Sequence, residues 1–254
     1  MFSVGDLVTR KSYNNDVVFK IVDIKDDIYY LKGVCVRLSA DSNKDDLVLF
    51  NNKVDDDFIP EMDEVRSLDR DEFFYLPGKI LHIDGDQDYL EKCMNFYEKN
   101  KTMAYGVYSL ESELGSNMRG LLEKYNPDIL VITGHDALYR KRRDNGDYKN
   151  TSNFISAVKE ARKYEKSHEK LLIIAGACQS NYEELIKAGA NFASSPKRIN
   201  IHALDPAIVA TSLSFSDKND NIDLMNILSK TKYGSSGMGG IITKGTMYVG
   251  YPRE

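Results

Sequence analysis

The chain has 254 residues, 42% of them hydrophobic and 29% charged, which is enough apolar material for one large α/β domain with a smaller companion. A formal net charge of −5 argues against a general nucleic-acid binder. No run of about 18 apolar residues occurs and MFSVGDLVTRKSYNN lacks a signal-peptide core, so no membrane partner is expected.

In chain order, residues 1–52 read as short strands, GDLVTRK, DVVFKIVDI, IYYLKGVCVRL and DLVLF, separated by polar turns. That pattern predicts a small SH3-like β-barrel, a module that docks peptides or nucleic acid. Residues 53–76 predict an acidic linker: from Lys53 to Tyr75 nine acids stand against three bases, a local net of −6, around Pro60. From 77 to 254 strands and helices alternate, the signature of crossover units and a doubly wound, mostly parallel sheet flanked by helices. The expected strands are GKILHID (78–84), MAYGVYS (103–109), DILVITGHD (128–136), KLLIIAGACQS (170–180) and ANFAS (190–194). Helical patterns fall near 87–99, 112–124, 151–166, 181–189, 202–213 and 221–231, and GGIITKGTMYVGY (239–251) predicts a closing hairpin.

Two of these strands carry the chemistry. DILVITGHD and KLLIIAGACQS are continuous apolar runs bounded by glycine, the pattern of strands buried on both faces, and they end in His135 and Cys178. Ligands and catalytic groups of open α/β sheets gather at the carboxyl edge, so a base and a thiol converge there, as nucleophilic catalysis by cysteine requires. A helix expected to start near Gln179 would lend its positive end to a thiolate at Cys178. Gly134, Asp136 and Ala177 are candidate backbone contributors to an oxyanion site, and Gln179, Ser180 and His202 are secondary candidates for substrate contact. Asp136, adjacent to His135 on an extended turn, points away from the ring and offers support at best. His82, mid-strand, reads as core and His168 as a solvated turn residue. Cys35, Cys93 and Cys178 are odd in number and without paired spacing, which predicts a reducing cytoplasmic setting and no metal site. With no P-loop or GxGxxG fingerprint either, no cofactor is expected.

The order of a histidine after one hydrophobic strand and Ala177-Cys178 after the next resembles the caspase-like cysteine peptidases, although here the pair reads Gly134-His135 rather than His-Gly. Within that group GDLVTRKSYNNDVVFKI, ITGHDA and GACQSNYEELIKAGANFASSP resemble the YabG family of sporulation-specific cysteine peptidases across nearly the full length. The resemblance implies a caspase-like fold and an endopeptidase that processes spore coat and cortex-associated proteins in the sporulating cell, cutting after arginine. A preference for arginine needs a carboxylate for the guanidinium. The position two before the cysteine, acidic in several arginine-specific relatives, is Gly176, so Asp84 and Asp205 become the candidates. The basic run Arg140–Arg143 suggests self-cleavage at Arg142 or Arg143 in an exposed loop. Two other readings stay open: a non-catalytic docking protein with SH3-like and receiver-like domains, and a cysteine hydrolase of small amides. Oligomeric state, a homo-oligomer included, is open as well.

Overall fold

In a computed structural model of the chain, residues 2–54, 58, 60, 62, 74–139 and 147–250 are described. The chain divides into two compact units, Met1–Ile59 and Pro60–Glu254.

The first unit is a five-stranded antiparallel sheet of β1 (Leu7–Arg10), β2 (Phe19–Lys25), β3 (Ile28–Gly33), β4 (Ser39–Asn43) and β5 (Leu47–Leu49), in the order β4-β3-β2-β1-β5. β2 and β3 form a hairpin whose two-residue turn, Asp26-Asp27, has both φ angles positive (48° and 62°). That geometry matches the right-handed twist of the flanking strands, and Asp tolerates it better than most residues. The alternation of β2 and β3 sends Phe19, Ile21, Tyr29 and Leu31 into a core with Val8, Val36, Leu38 and Leu47. The expected strand IYYLKGVCVRL breaks at Gly33, and a fifth strand, the polar SADSN of β4, pairs with β3 from Ile28↔Asn43 to Lys32↔Ser39. Only Ser42 of β4 is buried, which is why apolar patterning did not reveal it.

The second unit begins with β6 (Phe74–Leu76) and then alternates: β7 (Ile80–Asp84), α1 (Gln87–Lys99), β8 (Ala104–Tyr108), α2 (Leu114–Tyr125), β9 (Ile129–Thr133), the short pair β10 (Leu138–Tyr139) and β11 (Asp147–Tyr148), α3 (Thr151–Tyr164) and β12 (Leu172–Ala175). It continues with α4 (Tyr182–Ala188), β13 (Phe192–Ser194), α5 (Asp205–Ser214), α6 (Leu224–Ser229), β14 (Met238–Gly240) and β15 (Tyr248–Gly250). The main sheet has the order β14-β13-β12-β9-β7-β8, parallel except for β14. Every residue of β7, β9 and β12 is buried, as continuous Ile/Leu/Val runs covered on both faces must be. On one face Leu81, Ile83, Leu130, Ile132 and Ile173 pack against Met118, Leu122, Phe154 and Val158 of α2 and α3. α1 packs on β7 and β8 and touches α5, whose ten residues are all buried. No helix among the described residues is long and apolar enough to cross a membrane.

Two expectations need correction here. The hairpin expected over 239–251 does not form among the described residues: β14 pairs with β13, and β15 instead pairs with β6, a strand inside the expected linker. The helix after Cys178 does not start near Gln179 either. Gln179 has φ 59°, and α4 starts at Tyr182, capped by the side chain of Asn181, which accepts the Glu184 N–H. A left-handed residue cannot belong to a right-handed helical turn, so Cys178 does not directly precede the first turn of α4. The other end of α4 is as expected, with Gly189 at φ 115° closing it.

Candidate active site

β9 ends at Thr133, and two residues later His135 is held at four points. Its main-chain N–H donates to Glu111 Oε1 at 2.8 Å, and its carbonyl accepts from Asn150 Nδ2 at 2.8 Å. Its ring Nε2 lies 2.8 Å from Asp86 Oδ2, and the ring leans on Tyr89 with centroids 5.6 Å apart. An ionised carboxylate only accepts, so Nε2 carries the proton and the lone pair of the neutral ring sits on Nδ1. Asp86 is itself fixed, because its Oδ1 caps α1 by accepting the N–H groups of Asp88 (3.0 Å) and Tyr89 (3.1 Å). Beneath it runs a buried polar chain. His82 Nδ1 meets Tyr97 OH at 2.9 Å, His82 Nε2 meets Thr133 Oγ1 at 3.0 Å, Thr133 Oγ1 donates to Asp84 Oδ2 at 2.9 Å, and Asp84 Oδ1 accepts the Asp86 N–H at 3.0 Å.

Asp84 is therefore a fully buried brace with both oxygens hydrogen-bonded, not an acid open to a substrate guanidinium. Asp205 differs from its expected role in the same way. It too is fully buried, its Oδ2 accepting the His202 N–H at 2.8 Å and its Oδ1 the Lys232 N–H at 2.9 Å. His202 is 2% exposed, and its Nδ1 accepts the Leu204 N–H, so it shapes the start of α5 rather than presenting itself to a substrate.

On the neighbouring strand, Ala175 of β12 pairs with Ile132 of β9. Cys178 and His135 each come three residues after this last registered pair, in the turns by which the chain leaves the two adjacent parallel strands. The chain leaves β12 through Gly176 at φ 110°, where a Cβ would come within 2.4 Å of Ser194 Oγ, so only glycine can make this turn. The Cys178 side chain is closed off from solvent. Its Sγ receives the Ile201 N–H at 3.2 Å and lies 3.7 Å from the Ile201 carbonyl oxygen.

The two turns are tied together by Asp136. Its Oδ2 accepts from Ser180 Oγ at 2.8 Å and from Thr151 Oγ1, and its Oδ1 accepts the N–H groups of Ala137 and Asn150. Ser180 Oγ in turn accepts the Ala177 N–H at 2.9 Å. The Ala177 amide is thus committed to Ser180 and is not an oxyanion donor, and Ser180, fully buried, is a strut and not a substrate contact. Gln179 joins its loop to the segment above through its N–H, shared between Ser195 Oγ and Ile199 O, and through Nε2 to Asn200 Oδ1. Arg198 pins that segment by contacts to Tyr148 OH, Ser195 O, Asn181 Oδ1 and Glu183, whose carboxyl this ion pair holds below its ordinary range. Arg142 and Arg143 lie outside the described residues. Asp86 and Glu111 escaped the sequence reading. The signal for Asp86 exists only once the strand order is known: Asp84 pairs with Thr133, which sets Asp86 level with His135.

The fold and site are those of an α/β protein with an acid, a histidine and a cysteine at the carboxyl ends of three successive neighbouring strands. Sequence comparison places it further: the family model for YabG peptidase U57 matches residues 3–252, and the chain belongs to that peptidase family. It is 40% identical, over 285 aligned positions covering 99% of this chain and 98% of the relative, to the sporulation-specific protease YabG of Bacillus subtilis (strain 168). No solved structure matches.

Proposed function

We propose that the chain is a cysteine endopeptidase of the sporulating cell, with Cys178 as nucleophile, His135 as base and Asp86 as the group that orients the base. The observation that carries this reading is the lock on His135 Nε2 by Asp86, beside the placement of His135 and Cys178 in the turns that follow two adjacent parallel strands. The tautomer so fixed leaves Nδ1 to take the thiol proton. The thiolate attacks the scissile carbonyl carbon, the imidazolium returns its proton to the departing amine, and water activated by the same ring hydrolyses the thioester. A main-chain N–H aimed at sulfur, as from Ile201, stabilises the thiolate. Gly134 and Asp136, whose amides are not drawn into the hydrogen bonds above, are the proposed oxyanion donors.

The sheet order and the third-then-fourth-strand placement of His135 and Cys178 support a caspase-like peptidase unit, and the antiparallel first unit suits an SH3-like module for docking protein substrates. Spore coat and cortex-associated proteins as substrates, cleavage after arginine, and self-cleavage at Arg142 or Arg143 follow from the family resemblance and belong to the proposal. The test is an arginyl peptide chloromethyl ketone incubated with the protein and located by mass spectrometry. A single adduct on Cys178, absent in His135→Ala, is expected. An adduct on Cys35 or Cys93, or labelling of Cys178 that ignores His135, would overturn the assignment and favour a docking protein.

A further inference from the structure

We propose that Glu111 is the carboxylate that binds the guanidinium of the substrate residue preceding the scissile bond. The inference rests on the cysteine-peptidase reading above and supplies the acid that the arginine preference requires.

The four aspartates that the sequence or the site brings forward, Asp84, Asp86, Asp136 and Asp205, are all engaged. Asp84 and Asp205 are fully buried with both oxygens taken. Asp86 divides its oxygens between α1 and His135, and Asp136 accepts four hydrogen bonds. Glu111, just beyond the end of β8, differs. It is partly exposed, and only its Oε1 is engaged, by the His135 N–H at 2.8 Å. No Lys or Arg among the described residues pairs with it, and Oε2 accepts nothing from them. A carboxylate offers about four lone-pair sites, of which the described residues use one.

The surroundings are shaped for this carboxylate. A Cβ on Gly85 would come within 2.4 Å of Glu111 Oε1, and one on Gly134 within 2.6 Å. Two strand-end residues therefore lack side chains where the carboxylate sits, which lets Glu111 lie against the ends of β7 and β9. The structural duty of receiving a main-chain N–H needs an oxygen but no charge, which a glutamine would serve equally well. The negative charge is surplus to that duty, and a cationic side chain of the substrate uses it. The planar guanidinium spans both carboxylate oxygens, which the point charge of an ammonium cannot do. Because Glu111 holds the backbone of His135, a substrate arginine placed on it lies beside the base.

The test compares cleavage of paired peptides that differ only in arginine or citrulline before the scissile bond. Citrulline keeps the shape and loses the charge. The wild type is expected to prefer arginine by about 100-fold in kcat/KM, and Glu111→Gln, which retains the acceptor for the His135 N–H, to bring the two peptides within about threefold. Both peptides are read on one preparation, so partial loss of folded enzyme cancels. Binding of the same peptides to Cys178→Ala and to Cys178→Ala/Glu111→Gln gives the ratio without turnover. Should Glu111→Gln not fold, Glu111→Asp is read in the same way and is expected to keep part of the preference. A Glu111→Gln ratio equal to the wild-type ratio overturns the proposal. A wild type that cleaves both peptides equally refutes the arginine preference and this assignment with it, while leaving the Cys178–His135 reading in place. Loss of the Cys178 adduct described above is the separate failure of that reading.

Discussion

Asp86 performs two jobs with two oxygens, and substitution separates them. In Asp86→Asn the side-chain oxygen continues to accept the N–H groups of Asp88 and Tyr89, and Asn caps a helix about as well as Asp, so stability changes by less than about 0.5 kcal/mol. The amide NH₂ then faces His135 Nε2, where the carboxylate oxygen had been 2.8 Å away. It donates to that nitrogen, moves the ring proton to Nδ1 and leaves no lone pair for the thiol. The equivalent exchange in a serine protease triad costs about 10⁴ in kcat through the wrong tautomer. A thiol is easier to deprotonate than a hydroxyl, so a loss of about 10²- to 10³-fold, or about 3–4 kcal/mol in the barrier, is expected here. Asp86→Ala removes the cap, worth about 1 kcal/mol, and strands a largely buried ring N–H, worth about 1–3 kcal/mol. That lowers the melting temperature by roughly 5–10 °C in addition to the kinetic loss. The assay is peptide turnover beside thermal denaturation for both variants. Wild-type kcat in Asp86→Asn, or kinetic losses that merely track the melting temperatures of the two variants, would refute the reasoning.

Gly176→Ala forces a side chain into a φ of 110° and to 2.4 Å from Ser194 Oγ. It is expected to destabilise the fold by about 2–4 kcal/mol in chemical denaturation and to slow thiol labelling by displacing Cys178. Asp136→Ala strips the acceptor from Ser180, Thr151 and the N–H groups of Ala137 and Asn150. Its cost is about 3–5 kcal/mol, whereas Asp136→Asn, which keeps an acceptor, costs less; equal stabilities of the two would contradict the strut role. His168 is expected to make the protein less stable in mild acid. Burial and then the nearby Arg162 hold its pKa below the ordinary 6.5, so the unfolded chain binds its proton more readily and stability falls as pH drops through 6.5 and below. Denaturation midpoints should show less acid-side loss in His168→Gln, and identical pH profiles would remove His168 as the cause.

The central strands were legible because burial on both faces demands unbroken apolar runs, and β7, β9 and β12 are such runs. β4 was hidden for the opposite reason: SADSN pairs through its backbone while presenting polar side chains outward, and nothing in its pattern differs from a turn. The β6–β15 pairing joins Tyr75 to Val249 across most of the second unit, and such distant partners leave no local trace. Apolar periodicity also located the turns holding His135 and Cys178, since each turn directly follows its own buried strand. It could not reveal Asp86 or Glu111, because DGDQD reads as turn and cap chemistry and LESEL as a helix start. Their relation to His135 exists only through the neighbouring order β8-β7-β9. The misplaced start of α4 has a similar origin. Gln179 and Ser180 are compatible with a first helical turn, and the left-handed twist at Gln179 is set by Ser195 and Ile199 from a distant loop.

The most direct test of the account is proteolysis of a protein substrate by Cys178→Ala against the wild type, with thermal denaturation run on both. The account predicts a folded variant whose cleavage rate falls by at least about 10³-fold. A folded Cys178→Ala that cleaves the same bonds at the wild-type rate would contradict it.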